Sequence, residues 1–105
     1  MSTLSTHVLD AVRGVPAVGV EVALYARADR LDAATTDADG RIAGLGKALT
    51  PGAYRLVFGT GPYFAERGEP TFYPEVSIAF VVTEERHYHV PLLLSPFAFS
   101  TYRGS

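Results

Sequence analysis

The sequence predicts an all-β fold, an antiparallel β-sandwich with one short helix, and three observations carry that prediction. Apolar and polar residues alternate at a period of two through most of the chain, clusters of Gly, Pro and Asp interrupt the alternating runs at short intervals, and a single brief segment has helix-forming composition. Alternation marks strands with one buried face, and closely spaced turns favour strand-to-strand connections over crossover helices.

The elements follow in chain order. In "STHVLD" (Ser5 to Asp10), His7 and Leu9 share one face and Val8 takes the other. "VGVEVALYAR" (Val18 to Arg27) groups Val18, Val20, Val22, Leu24 and Ala26 against Glu21, Tyr25 and Arg27, the pattern of a half-buried strand. "AYRLVF" (Ala53 to Phe58) sets Tyr54, Leu56 and Phe58 together, opposite Arg55, and "EVSIAFVVT" (Glu75 to Thr83) groups Val76, Ile78, Phe80 and Val82. Between these two runs, "FAERGEP" (Phe64 to Pro70) predicts a helix of a turn or two, favoured by Ala, Glu and Arg and stopped by Gly68 and Pro70. The punctuation is "RGVP" at 13 to 16, "DADG" at 37 to 40, "TPG" at 50 to 52 and "GTGP" at 59 to 62, where Gly supplies positive φ and Pro fixes φ.

The last strands bear the unusual residues. In "HYHVPLLLS" (His87 to Ser95), Tyr88, Val90, Leu92 and Leu94 form an ordinary core face, whereas His87, His89, Pro91, Leu93 and Ser95 form the other. Imidazoles, a proline and a leucine on one face suit the lining of a cleft or subunit interface, although two surface histidines on a solvated strand are the plain structural reading. "AFSTYRGS" reads as strand through Tyr102, with Phe97 and Phe99 on one side, and its tail gathers a guanidinium, a hydroxyl and a carboxylate within a few residues. Arg41 directly follows the "DADG" turn, which by itself is ordinary surface chemistry.

Composition bounds the function. A chain of 105 residues, 48% apolar and 19% charged, fits one domain over residues 1–105. A formal net charge of −2 lacks the basic footprint that nucleic acid or an anionic membrane would require. The absence of cysteine removes disulfides, thiolate nucleophiles and cysteine metal sites, and fits a reducing compartment. With no leader-like N-terminus and no apolar run of membrane-spanning length, the expected location is cytoplasmic.

Taken together, "HVLD" at 7 to 10, "DGR" at 39 to 41, "HVPLLLSP" at 89 to 96 and "YRGS" at 102 to 105 resemble the 5-hydroxyisourate hydrolases, the transthyretin-related enzymes of urate breakdown, and "VLDAVRG" and "LLSPFAFST" also resemble transthyretin. The resemblance runs in order over essentially the whole chain. It implies a transthyretin-like (prealbumin-like) sandwich, a homotetramer with sites at the dimer–dimer interface, and a channel toward which His7, His89, Pro91, Leu93, Ser100 and Tyr102 would point. The implied reaction opens the ring of 5-hydroxyisourate without metal or other cofactor. His7, Arg41, His89 and Ser105 would then be catalytic, and Tyr102, Arg103, Gly104, Pro91 and Leu93 would contact the substrate. The "YRGS" segment would close the site, so a longer tail would obstruct it. Histidine is suited to proton transfer near neutrality, and Arg41 to holding a carbonyl or oxyanion; which histidine is base and which is acid stays open, and His87 matches no implied catalytic position. Two rival readings are a transthyretin-type carrier of an aromatic ligand, which the polar residues of the face oppose, and a small immunoglobulin-like interaction module.

Overall fold

The computed structural model describes residues 1–104, and two packed sheets account for most of them. The strands are β1 (Thr3–Asp10), β2 (Val15–Pro16), β3 (Glu21–Ala26), β4 (Asp29–Thr35), β5 (Arg41–Ile42), β6 (Gly52–Phe58), β7 (Val76–Val82), β8 (His87–Ser95) and β9 (Ala98–Thr101), with the helix α1 (Thr60–Glu66) between β6 and β7. One sheet runs β2-β1-β8-β9, with β5 also paired to β1; the other runs β4-β3-β6-β7. The β-sandwich with one short helix expected from the sequence is therefore what the chain forms, with one parallel pairing, β1 on β8, inside an otherwise antiparallel architecture. Residues 11–86 separate those two strands, so their connection has ample length to cross over.

The inward faces are those the alternation identified. Leu4, Val8, Val22, Leu24, Leu56, Phe58, Leu92 and Leu94 are essentially inaccessible, and Phe64 of α1 joins them. Burial of such side chains contributes on the order of 2 kcal/mol each before entropy is charged against it. Ile78 and Phe80 pack against this core from β7 while remaining half-buried.

Some boundaries differ from the sequence reading. Val18 lies in a turn and is exposed, because the chain bends at Gly19 with φ +82°, and Ala17 takes the buried place before β3 begins at Glu21. The helix starts four residues earlier than Phe64, at Thr60. Pro62 is tolerated there because the first-turn amides of a helix have no intrahelical acceptor. It stops where expected: Gly68 adopts φ +68°, and the amides of Gly68 and Glu69 bond back to the carbonyls of Ala65 and Phe64, a Schellman closure. Tyr102 lies beyond the end of β9, and Phe97 sits in the β8–β9 turn, outside the alternation that was to align it with Phe99.

The helix is fastened to β1 through Asp10, which is 1% exposed. Its carboxylate accepts from the amides of Val12 and Arg13 and, at 2.9 Å, from the Tyr63 hydroxyl on α1. Burial, with the adjoining carboxylate, pushes the Tyr63 hydroxyl up to about 12. Arg67 stacks over the Tyr63 ring at 3.7 Å. Among the described residues, no helix is long and apolar enough to cross a membrane.

Candidate active site

The candidate site is the outward face of the β1–β8 sheet, and strand register assembles it. Parallel pairing sets Thr3 beside His87, Ser5 beside His89, His7 beside Pro91 and Leu9 beside Leu93. On the other edge of β1, antiparallel pairing sets Arg41 opposite His7. Past β9 the same register continues to a bridge between His89 and Gly104, which puts Tyr102 opposite Pro91 and Arg103 opposite Val90. Residues directly opposite one another share a face. The rows across the sheet are thus Ser5, His89 and Gly104, then Arg41, His7, Pro91 and Tyr102, then Leu9, Leu93 and Ser100.

Arg41 owes its place to the "DADG" turn. The Asp37 carboxylate accepts from the amides of Arg41 and Asp39, and these bonds hold it below the ordinary carboxylate range. Gly40 has φ +72°, and a Cβ there would strike the carbonyl oxygen of Val8, whose own amide donates to the Gly40 carbonyl. A side chain at Gly40 would move Arg41 off β1. The turn also fixes His7, whose Nε2 lies 3.0 Å from the Asp39 carbonyl oxygen. A carbonyl only accepts, so Nε2 carries a proton and the Nδ1 of a neutral His7 is left with its lone pair.

His89 is half-buried. Its Nδ1 is 2.7 Å from Ser5 Oγ, and its carbonyl accepts from the Gly104 amide at 2.8 Å. Gly104 is needed at this crossing, since a Cβ would come within 2.6 Å of His89 Cδ2. Burial holds the His89 imidazole below its ordinary pKa, reinforced by the Arg41 guanidinium and by His7 and His87 whenever they are protonated. The neutral form, able to accept a proton, is thereby favoured near pH 7.

The structure brings together His7, Arg41, His89, Pro91, Leu93, Gly104 and, by register, Tyr102. Register sets Arg103 opposite Val90, outside these rows, and Arg103 and Tyr102 both border a cleft of about 290 Å³ with Ile78, Phe80 and Tyr88. Ser105 lies outside the described residues. Sequence reasoning missed Ser5 and Thr3, which bond to the histidines of β8; Thr3, Ser5 and His7 alternate on one face of β1, but the parallel register that aims them at His87 and His89 is invisible in either strand alone. Among the described residues, no group of three or more His, Cys, Asp or Glu side chains has a metal-holding arrangement.

Comparison with known proteins gives the same picture. A family model described as the HIUase/Transthyretin family matches residues 4–104. The 5-hydroxyisourate hydrolase of Salmonella dublin is 49% identical over 109 residues, spanning 97% of this chain and 80% of the relative. The structure of Klebsiella pneumoniae 5-hydroxyisourate hydrolase superimposes with a TM-score of 0.94 at 44% identity, over 100% of this chain and 94% of the other. Sea bream transthyretin in complex with thyroxine superimposes with a TM-score of 0.89 at 33% identity, over 96% and 93%.

Proposed function

Because this chain belongs to the HIUase/transthyretin family, we propose that it is a hydrolase that opens the ring of 5-hydroxyisourate. The product is 2-oxo-4-hydroxy-4-carboxy-5-ureidoimidazoline. The observation that carries this reading beyond family membership is the row of Arg41 and His7 beside the row of Ser5 and His89 on one sheet face. That arrangement supplies a permanent cation and two imidazoles, the groups that addition of water to a ring carbonyl requires.

Water loses a proton as its oxygen bonds to the ring carbonyl carbon, the carbonyl oxygen becomes an oxyanion, and the ring C–N bond then breaks as its nitrogen takes a proton. His89, kept neutral by burial and by the neighbouring Arg41 guanidinium, is the group suited to take the proton from water. His7, its Nε2–H held by the Asp39 carbonyl, is suited in its protonated form to deliver the Nδ1 proton to the leaving nitrogen. Arg41 presents a planar fork of donors to the oxyanion or to a second carbonyl. Pro91, Leu93 and Tyr102 would border the substrate, Gly104 would hold the tail against His89, and Ser105 would position water through its hydroxyl. Arg103, set opposite Val90 by register, would shape the wall beside these rows.

The same proposal includes a homotetramer in which this face meets its counterpart across a dimer–dimer interface, and a cytoplasmic location, which the cysteine-free composition suits. The polar rows do not favour a carrier of an aromatic ligand, whose walls would be mostly apolar.

The direct test follows the ultraviolet decay of 5-hydroxyisourate, generated in place from urate and urate oxidase. The native chain is expected to accelerate decay over buffer, and His89→Ala to lose at least about 100-fold of that acceleration. Decay at the buffer rate with folded native protein would refute the hydrolase assignment.

A further inference from the structure

His87 has no part in the reaction described above, yet Ser5 links it to His89, which does. Thr3 Oγ1 lies 2.6 Å from His87 Nδ1, His87 Nε2 lies 2.8 Å from Ser5 Oγ, and Ser5 Oγ lies 2.7 Å from His89 Nδ1. The chain of bonds runs from exposed His87 to half-buried His89. It exists because the parallel register sets Thr3 beside His87 and Ser5 beside His89.

A serine hydroxyl has one proton, so Ser5 donates to one imidazole and accepts from the other. The tautomers of the two rings are therefore coupled. If Ser5 donates to His87, then neutral His89 carries its proton on Nδ1 and keeps a lone pair on Nε2, and His87 donates from Nδ1 to Thr3. If Ser5 donates to His89, then neutral His89 carries its proton on Nε2, and His87 donates from Nε2 while accepting from Thr3. Only the first pattern leaves Nε2 free to take a proton.

We propose that Ser5 and His87 are positioning residues that hold His89 in its Nδ1–H form and carry the proton it captures toward the solvent. This inference rests on the assignment of His89 as the base. When Nε2 takes a proton from water, the Nδ1 proton passes to Ser5 Oγ while the Ser5 proton passes to His87 Nε2. The positive charge then resides on the exposed imidazole. Reversal of the same two transfers returns the charge to His89 and restores its starting form once Nε2 gives up its proton. Arg41 on β5, His7 on β1 and His87 on β8 are the charged or titratable groups acting on His89, and from the tail Gly104 bonds to the His89 carbonyl and lies close to its ring.

The experiment uses the native chain, Ser5→Ala, Ser5→Thr and His87→Phe, each checked for native circular dichroism. Long-range proton–nitrogen correlation spectra without substrate read the His89 tautomer, and kcat and KM are measured across pH. The native chain is expected to show His89 mainly as Nδ1–H. Ser5→Ala and His87→Phe should shift it toward Nε2–H, lower kcat about tenfold against the ~100-fold or more that a general base supplies, and leave KM within about twofold. Ser5→Thr, which keeps the hydroxyl, should restore most of kcat. An Nε2–H tautomer in the native chain, or variants that change neither tautomer nor kcat, would overturn the relay. Failure of the native chain to hydrolyse 5-hydroxyisourate would instead overturn the assigned activity, and the substrate-free spectra keep the two failures distinct.

Discussion

At the scale of single residues, the chemistry of this face depends on charge placed near one imidazole. Burial first, then the Arg41 guanidinium, with His7 and His87 adding to it whenever they are protonated, hold His89 below its ordinary pKa of 6.5. The folded chain consequently binds this proton less readily than the unfolded chain, so stability rises with pH between the two pKa values. The contribution is fully present above about pH 6.5 and is lost as pH falls through the depressed value. Arg41→Gln removes one cause of the depression. The His89 pKa, followed by NMR titration of the ring protons, should therefore move upward, and the acid limb of kcat/KM should move with it; an unchanged or lowered value would show that Arg41 does not act electrostatically on His89. His7, His89 and Arg41 were legible as chemically distinctive residues in strand and turn contexts. Ser5 and Thr3 were not, because small hydroxyl residues on a strand face are common and only their pairing with β8 gives them partners.

At the scale of elements, legibility followed burial. The strands β3, β6, β7 and β8 bury one face each, so their alternation survives in the sequence, whereas β4 carries Leu31 nearly half exposed and leaves no such trace. Arg41 occupies a two-residue strand, too short to show any period. The helix began early because its fastening is tertiary: Tyr63 precedes the segment with the best helix composition, yet its hydroxyl bonds to buried Asp10. That fastening is separate from the catalytic face, since Asp10 points inward from β1 while His7 points outward. Asp10→Ala would leave the Tyr63 hydroxyl and the amides of Val12 and Arg13 without their acceptor, costing about 3 kcal/mol, and Tyr63→Phe about 1 kcal/mol. Urea denaturation should show this order, with kcat of the folded variants within about twofold of native. A stability loss in Asp10→Ala no larger than in Tyr63→Phe would mean that the loop amides find other partners.

At the scale of the whole molecule, the two sheets end on β7 and β9, and neither end is protected against further pairing. The β7 strand, "VSIAFVV", has no proline and no charge, and Val81 is 61% exposed on it. Such an edge invites another strand. Beside β9, Phe97 is 67% exposed and Phe72 72%, while Phe72, Tyr73 and Phe99 form an edge-to-face ladder at centroid distances of 5.2 and 5.1 Å. Isolated surface aromatics are ordinary, but here they adjoin an unpaired strand end. We therefore expect light scattering to give four times the 11.3 kDa chain mass, and Phe97→Glu to shift the protein toward smaller species by setting a carboxylate beside the paired edge. Unchanged mass in the variant would remove Phe97 from the interface, and a native monomer would remove the proposed shared site. Assembly also bears on the chemistry. Ser5, His7, Leu9, His89 and Leu93 are half-buried in one chain, so a second copy laid over them would withdraw more water from His89 and depress its pKa further. Dilution that dissociates the tetramer should accordingly raise the acid limb of the remaining activity as well as reduce its rate.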